Sequence, residues 1–202
     1  MLIRSAALSC VTLSILACQA GAPGEPSQAA APAAQPAAPV AAESLPIIPL
    51  DEVKPSQSGS VTQTVANTDI TVTYDRPVAR GRDLFGGIVA YGEIWNPGAN
   101  DATAISFSRS VTINDHPLEA GAYSIWAIPD PDEWTLIFSR AADVFHQPYP
   151  GEEHDALRLT VAPVSGDHME TLAFYFSTVE KKGAELRLHW GQTVVPLQIE
   201  VS

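Results

Sequence analysis

Three arginines stand within seven residues of one another, Arg76, Arg80 and Arg82, in a chain that has only eleven Lys and Arg in all. Guanidinium groups gathered this way suit a carboxylate, sulfate or phosphate, because each presents a planar fork of donors. The simpler reading pairs each with a nearby carboxylate, Asp75, Asp83, Glu93 or Asp101, so that the charges tie loops down. Tyr91 and Trp95 follow, one on each side of Glu93, with Asn100 just beyond. Rings beside Arg and Asn form an aromatic platform on which the CH face of a sugar stacks. The same rings can equally be core or turn-covering residues. Glu93 and Asp101 could act together as the two carboxylates of a glycoside hydrolase.

A second group lies in a long loop: His146, Glu152, Glu153, His154 and Asp155. His146, His154 and Asp155 are the residues to which a divalent metal would turn, although their spacing matches no standard motif and a solvated loop explains them as well. His116 reads as a turn residue, His168 as a loop residue and His189 as structural. No HExxH, GxSxG elbow, P-loop or GxGxxG is present. The chain calls for no cofactor, and its catalytic residues, if any, are not legible.

These residues need a scaffold. From Val61 onward apolar and polar residues alternate, the signature of strands with one dry and one wet face. The segments are Val61–Val65, Ile70–Tyr74, Thr103–Phe107, Val111–Ile113, Tyr123–Ile128, Trp134–Phe138, Leu157–Val161, Leu172–Phe176, Ala184–Trp190 and Val194–Val201. Turn signals separate them: Asn67-Thr68-Asp69, Asn114-Asp115-His116-Pro117 and Pro129-Asp130-Pro131-Asp132. Asn96-Pro97-Gly98-Ala99 fits a type II turn, and Asn100 and Asp101 can cap the loop after it. Asp143–His146 has room for one short helical turn. The pattern predicts a single all-β domain over residues 50–202, an antiparallel β-sandwich of jelly-roll-like form.

The first fifty residues have a different character. Residues 1–17 carry Arg4 and then an apolar run, as a secretory signal peptide does, and the run is too short to span a bilayer as a helix. Ile15-Leu16-Ala17-Cys18 resembles a bacterial lipobox, which implies a lipidated Cys18 anchoring the protein to a membrane. Gln19 in place of Asp favours the outer over the inner membrane under the family's sorting rule. Residues 18–49 are Ala- and Pro-rich with no apolar period, a disordered tether. The expected location is the bacterial cell envelope, with the domain in the periplasm. Cys10 and Cys18 are the only cysteines, so the domain has no thiol chemistry. The formal net charge of −12 argues against a nucleic-acid partner.

Several runs together resemble a known family. They are Tyr74-Asp75-Arg76-Pro77, Arg80-Gly81-Arg82, Phe85-Gly86, Tyr91-Gly92, Trp95-Asn96-Pro97-Gly98-Ala99-Asn100 and Thr103. Leu118 to Ser124, Ile128-Pro129, Trp134 to Phe138 and Asp155 to Arg158 continue the match to the final strand pair. The pattern resembles the domain of unknown function 2911 family of exported bacterial β-rich proteins. The chain departs from it at Asn96 and Ser139, where Arg and Asn are expected. The resemblance implies the fold and carries no activity. Two functional readings remain. One is a non-enzymatic binding or structural module for a glycan or an anionic small ligand. The other is an envelope hydrolase acting on glycans or esters, with or without the help of a metal.

Overall fold

The computed structural model describes residues 52–201. The expected signal peptide, the expected lipid site Cys18 and the expected tether lie outside the described residues. Within them no helix is long and apolar enough to cross a membrane.

The described residues form ten antiparallel strands in two sheets. One sheet has the order β1-β2-β3-β6-β7-β8: β1 Gln57–Val65, β2 Thr68–Arg76, β3 Ala104–Phe107, β6 Gly121–Ile128, β7 Trp134–Ser139 and β8 Asp155–Val161. The other has the order β5-β4-β10-β9: β4 Val111–Ile113, β5 His116–Leu118, β9 Val164–Val179 and β10 Gly183–Val201. The two stay separate, an open sandwich as the alternation predicts. The dry faces meet in one core. Ile70, Val72 and Tyr74 of β2, and Leu136 and Phe138 of β7, face Leu172 and Phe174 of β9 and Leu186 and Leu188 of β10. Trp126, Ile137 and Ala102 form a second, smaller cluster, with Ile128, Val144 and Tyr149 packed on it.

Several local expectations change. The first hairpin turns at Ala66–Asn67, because Val65 pairs with Thr68 and Ala66 takes the left-handed φ of 50°. Asn114 and Asp115 (φ 44° and 66°) form the two-residue turn expected of a type I′ hairpin, so His116 and Pro117 fall on the edge strand β5. Asp143–His146 has no helical turn; the one 3-10 turn among the described residues is Glu152–His154. The Asn96–Ala99 turn is not type II, since Gly98 lacks the positive φ that type needs. Gly98 N–H instead donates across Pro97 to Asn96 O at 2.8 Å. Gly is required there for room: a Cβ would stand 2.6 Å from Thr103 Oγ1.

The strands expected at Ala184–Trp190 and Val194–Val201 merge into β10, which doubles back on itself. Nineteen extended residues would reach about 60 Å, yet Val201 N–H donates to Lys182 O at 2.9 Å. Gln198 Nε2 likewise reaches Glu185 Oε2 at 2.6 Å. The inward residues change parity across the bend, from Ala184, Leu186 and Leu188 to Val195, Leu197 and Ile199. The change falls at Gly191–Gln192, where the register against β9 shifts and Gly191 takes a left-handed φ of 58°.

At one side the sandwich is sealed by the segment after β2. Leu172 N–H donates to Pro77 O at 3.0 Å and Ala79 N–H to Glu170 O at 2.7 Å. Tyr74 Oη accepts from Phe174 N–H at 3.1 Å and donates to Phe174 O at 3.3 Å. Residues 74–79 thus occupy the edge of β9 that β10 does not.

Candidate functional site

Each arginine of the opening cluster has a different fate. Arg76 Nε donates to Leu172 O at 3.0 Å, continuing the seal along β9. Arg82 donates from Nε to Ala79 O at 2.9 Å and from Nη2 to Val78 O at 2.6 Å. Arg80, with φ 53°, is fixed through its backbone, whose N–H donates to Glu170 Oε1 at 2.7 Å, while its side chain is exposed. No ion pair among the described residues involves any of the three. The side chains of Arg76 and Arg82 are bound to carbonyls, not to the carboxylates expected. Arg82 therefore has its Nε and Nη2 donors engaged, and Arg76 has Nε engaged.

The loop between Arg82 and Trp95 is held by short backbone bonds, among them Val89 N–H to Leu84 O at 2.9 Å and Gly86 N–H to Val89 O at 2.8 Å. It delivers Phe85 and Trp95 onto Trp134 and Trp190. Phe85 meets Trp134 edge-on at 4.7 Å, and Trp95 stacks on Trp190 at 6.2 Å with planes 13° apart. Trp95 is also stitched to β6, exchanging backbone bonds of 2.8 and 2.7 Å with Ala127. This ring is half-buried. Tyr91 is 42% exposed and covers Gly86, where a Cβ would lie 2.6 Å from the ring. It borders a small hollow of about 240 Å³ with Phe85, Trp134 and Gln192. Glu93 is exposed on the same loop.

Beyond Trp95 the buried Asn96 amide donates to Ile125 O at 2.7 Å and accepts from Thr103 N–H at 3.1 Å. The departure from Arg at this position therefore leaves a neutral bracket. Ser139, the other departure, is buried and accepts from Ala141 N–H at 3.3 Å. Asn100 sits at φ 56°, a conformation Asn tolerates better than most residues. Its Nδ2 donates to Asp75 Oδ2 at 2.6 Å, and Ser58 Oγ donates to the other oxygen, Oδ1, at 2.5 Å. Asp75 is 6% exposed, a buried carboxylate held by two neutral donors.

The Asn100 carbonyl reaches a different part of the chain. It accepts from His146 N–H at 3.0 Å, and His146 Nδ1 lies 2.5 Å from the same oxygen. Ala102 N–H donates to Val144 O at 2.9 Å alongside. The loop after β7 is thereby laid against the stretch from Trp95 to Ala102. Between them opens a groove of about 520 Å³, lined by Ile94, Trp95, Asn96, Trp126, His146, Gln147, Pro148 and Tyr149. This lies within the usual range for small-ligand pockets, about 300–1,000 Å³. Tyr149 packs edge-on against Trp126 at 5.3 Å. Its hydroxyl donates to Asp155 Oδ1 and accepts from Arg158 Nη2 at 3.2 Å. Burial, then the Asp155 hydrogen bond, raises the Tyr149 pKa, so the phenol stays neutral. Arg158 Nε donates to Asp155 Oδ2 at 2.5 Å, and this bond pushes its pKa upward.

The candidate metal residues are not brought together. His146 belongs to the groove, His154 is exposed 4.0 Å from Glu153, and Asp155 is engaged by Tyr149 and Arg158. Among the described residues no three His, Cys, Asp or Glu side chains gather as a metal would require. Glu93 and Asp101 are both exposed and neither lines the groove. Sequence reading missed Gln147 and Tyr149 as groove residues. Only the neighbouring His146 drew notice there, and nothing local indicates that this loop meets Trp95.

No curated protein and no solved structure matches the chain. One family model does, over residues 56–199, which takes in both sheets and the groove between Trp95 and Tyr149. The chain belongs to the family described as Protein of unknown function (DUF2911).

Proposed function

We propose that this protein is a non-enzymatic binding module of the bacterial cell envelope, tethered to the outer membrane through a lipid on Cys18. Its ligand is an uncharged glycan held between Trp95 and Tyr149. The observation that carries this reading is the lining of the groove. It combines aromatic and aliphatic walls with a few polar groups and has no Asp, Glu, Lys or Arg. Sugars offer apolar CH faces to such walls and hydroxyls to the polar groups. Arg76, Arg80 and Arg82 do not line the groove, which disfavours the anionic-ligand version there.

The test is isothermal titration of the full-length protein in detergent with chitohexaose, cellohexaose and maltohexaose, and with hexagalacturonate as the anionic arm. At least one neutral oligomer is expected to bind, and Gln147→Ala to weaken it about tenfold by removing hydrogen bonds. Binding of hexagalacturonate alone, abolished by Arg80→Ala, overturns the reading, as does no binding at all. The anchor is tested separately by labelling cells with a palmitate analogue. Cys18→Ala should lose the label and leave the outer-membrane fraction.

A further inference from the structure

We infer that His146 is the residue that selects the ligand in this groove, acting as a hydrogen-bond acceptor through Nε2; the inference rests on the binding reading above. A carbonyl oxygen only accepts, so the 2.5 Å contact between His146 Nδ1 and Asn100 O requires the hydrogen on Nδ1. In the neutral ring Nε2 then carries a lone pair and no hydrogen. No partner within the described residues takes that lone pair, and His146 is half-buried on the groove wall.

The ring is held by a chain of contacts, not by chance. Ser58 Oγ and Asn100 Nδ2 bind the two oxygens of the buried Asp75 at 2.5 and 2.6 Å. Asp75 thereby pins Asn100 in its left-handed conformation, φ 56°, with its carbonyl toward the loop after β7. That carbonyl takes both the backbone N–H of His146, at 3.0 Å, and its ring Nδ1–H. Backbone and ring of His146 are therefore fixed to one atom. An acceptor oriented in this way by the hydrogen bond on its other nitrogen is the arrangement used where an imidazole must present a lone pair.

The other polar atoms of the groove do less to discriminate. Asn96 has its amide engaged on both sides, and the Tyr149 hydroxyl is engaged by Asp155 and Arg158. Gln147 can donate or accept and so adapts to many ligands. His146 Nε2 is the fixed element. It demands a donor, a hydroxyl or N–H, at one position of the ligand and disfavours an ether or carboxylate oxygen there. His146 is the specificity determinant; Asn100 and Asp75 are positioning residues.

Two measurements decide this, both on the full-length protein in detergent. Long-range proton–nitrogen correlation of ¹⁵N-histidine protein should show His146 with a protonated Nδ1 and an unprotonated Nε2, and a shift of Nε2 when chitohexaose or whichever neutral oligomer binds is added. In titrations, His146→Phe should lose about tenfold in affinity. His146→Gln, whose amide oxygen can take the place of Nε2, should stay within about threefold of wild type. Asn100→Gly, which keeps the backbone carbonyl but drops the link to Asp75, should weaken binding and show mixed tautomers. Binding by wild type that His146→Phe leaves unchanged overturns this inference and spares the binding reading. A hydrogen on Nε2 in the free protein also overturns it. Failure of wild type to bind any neutral oligomer overturns both.

Discussion

Replacing Tyr74 by Phe removes a single oxygen, yet that oxygen serves two backbone groups on the opposite sheet. Tyr74 Oη accepts from Phe174 N–H at 3.1 Å and donates to Phe174 O at 3.3 Å. Tyr74 and Phe174 are both buried, so water cannot easily replace the hydroxyl. The ring itself stays, with its edge-on contact to Phe174 at 5.0 Å. An unsatisfied buried group costs about 1–3 kcal/mol, and the longer carbonyl contact belongs at the low end. The expected loss for Tyr74→Phe is about 3 kcal/mol, read as a lower midpoint in urea at unchanged slope. For a chain of this size the melting temperature should fall by roughly 6–12 °C. The Phe174 amide should exchange with solvent faster than its neighbours in β9. Tyr123→Phe is the control, since it removes one hydroxyl bond, to Glu119 O at 2.9 Å, and should cost about 1 kcal/mol. A loss under about 0.5 kcal/mol for Tyr74→Phe, with the Phe174 amide still protected, would refute the idea that this hydroxyl closes the sheet edge.

Other outcomes follow from the same geometry. Gly87→Ala would place a Cβ 2.1 Å from the backbone oxygen of Asp83, which has no flexible end to move aside; calorimetry should show a loss of about 1–3 kcal/mol and near-ultraviolet dichroism a disturbed Phe85–Trp95 loop. Gly191→Ala combines a φ of 58° with a contact of 2.8 Å to Leu84 Cδ1, so it should destabilise β10 at its bend, seen as a lower urea midpoint by more than about 1 kcal/mol. Glu185 has its pKa lowered by hydrogen bonds from Ser177, Arg187 and Gln198. A depressed folded pKa contributes stability that is present above the unfolded value, near 4.5, and is lost as pH falls through the folded one. Glu185→Gln should therefore flatten the stability–pH curve below about pH 4.5, measured by urea titration at stepped pH, and an unchanged slope counts against the assignment.

The fold was legible because alternation is local. Ile70, Val72 and Tyr74 face the core at every second position, and a strand exposes that period whatever it pairs with. Even the doubling of β10 left a trace, in the change of inward parity between Leu188 and Val195. The short β5 escaped because its three residues include Pro117 and carry no period.

The site was less legible. Tyr91 and Trp95 could be recognised as rings, but whether they are platform or core depends on what lies over them. Trp190, which stacks on Trp95, is 95 residues further along the chain.

By itself the sequence determined an all-β chain of alternating strands, the family to which it belongs, and the residues able to do chemistry. Tertiary structure alone decided what those residues touch. It turned Arg76 and Arg82 toward carbonyls, buried Asp75 between Ser58 and Asn100, and laid His146 against the carbonyl of Asn100. The physical reason is range. Which face of a strand is dry follows from neighbours two residues away, whereas a hydrogen-bond partner 46 or 100 residues distant exists only once the sheets have closed.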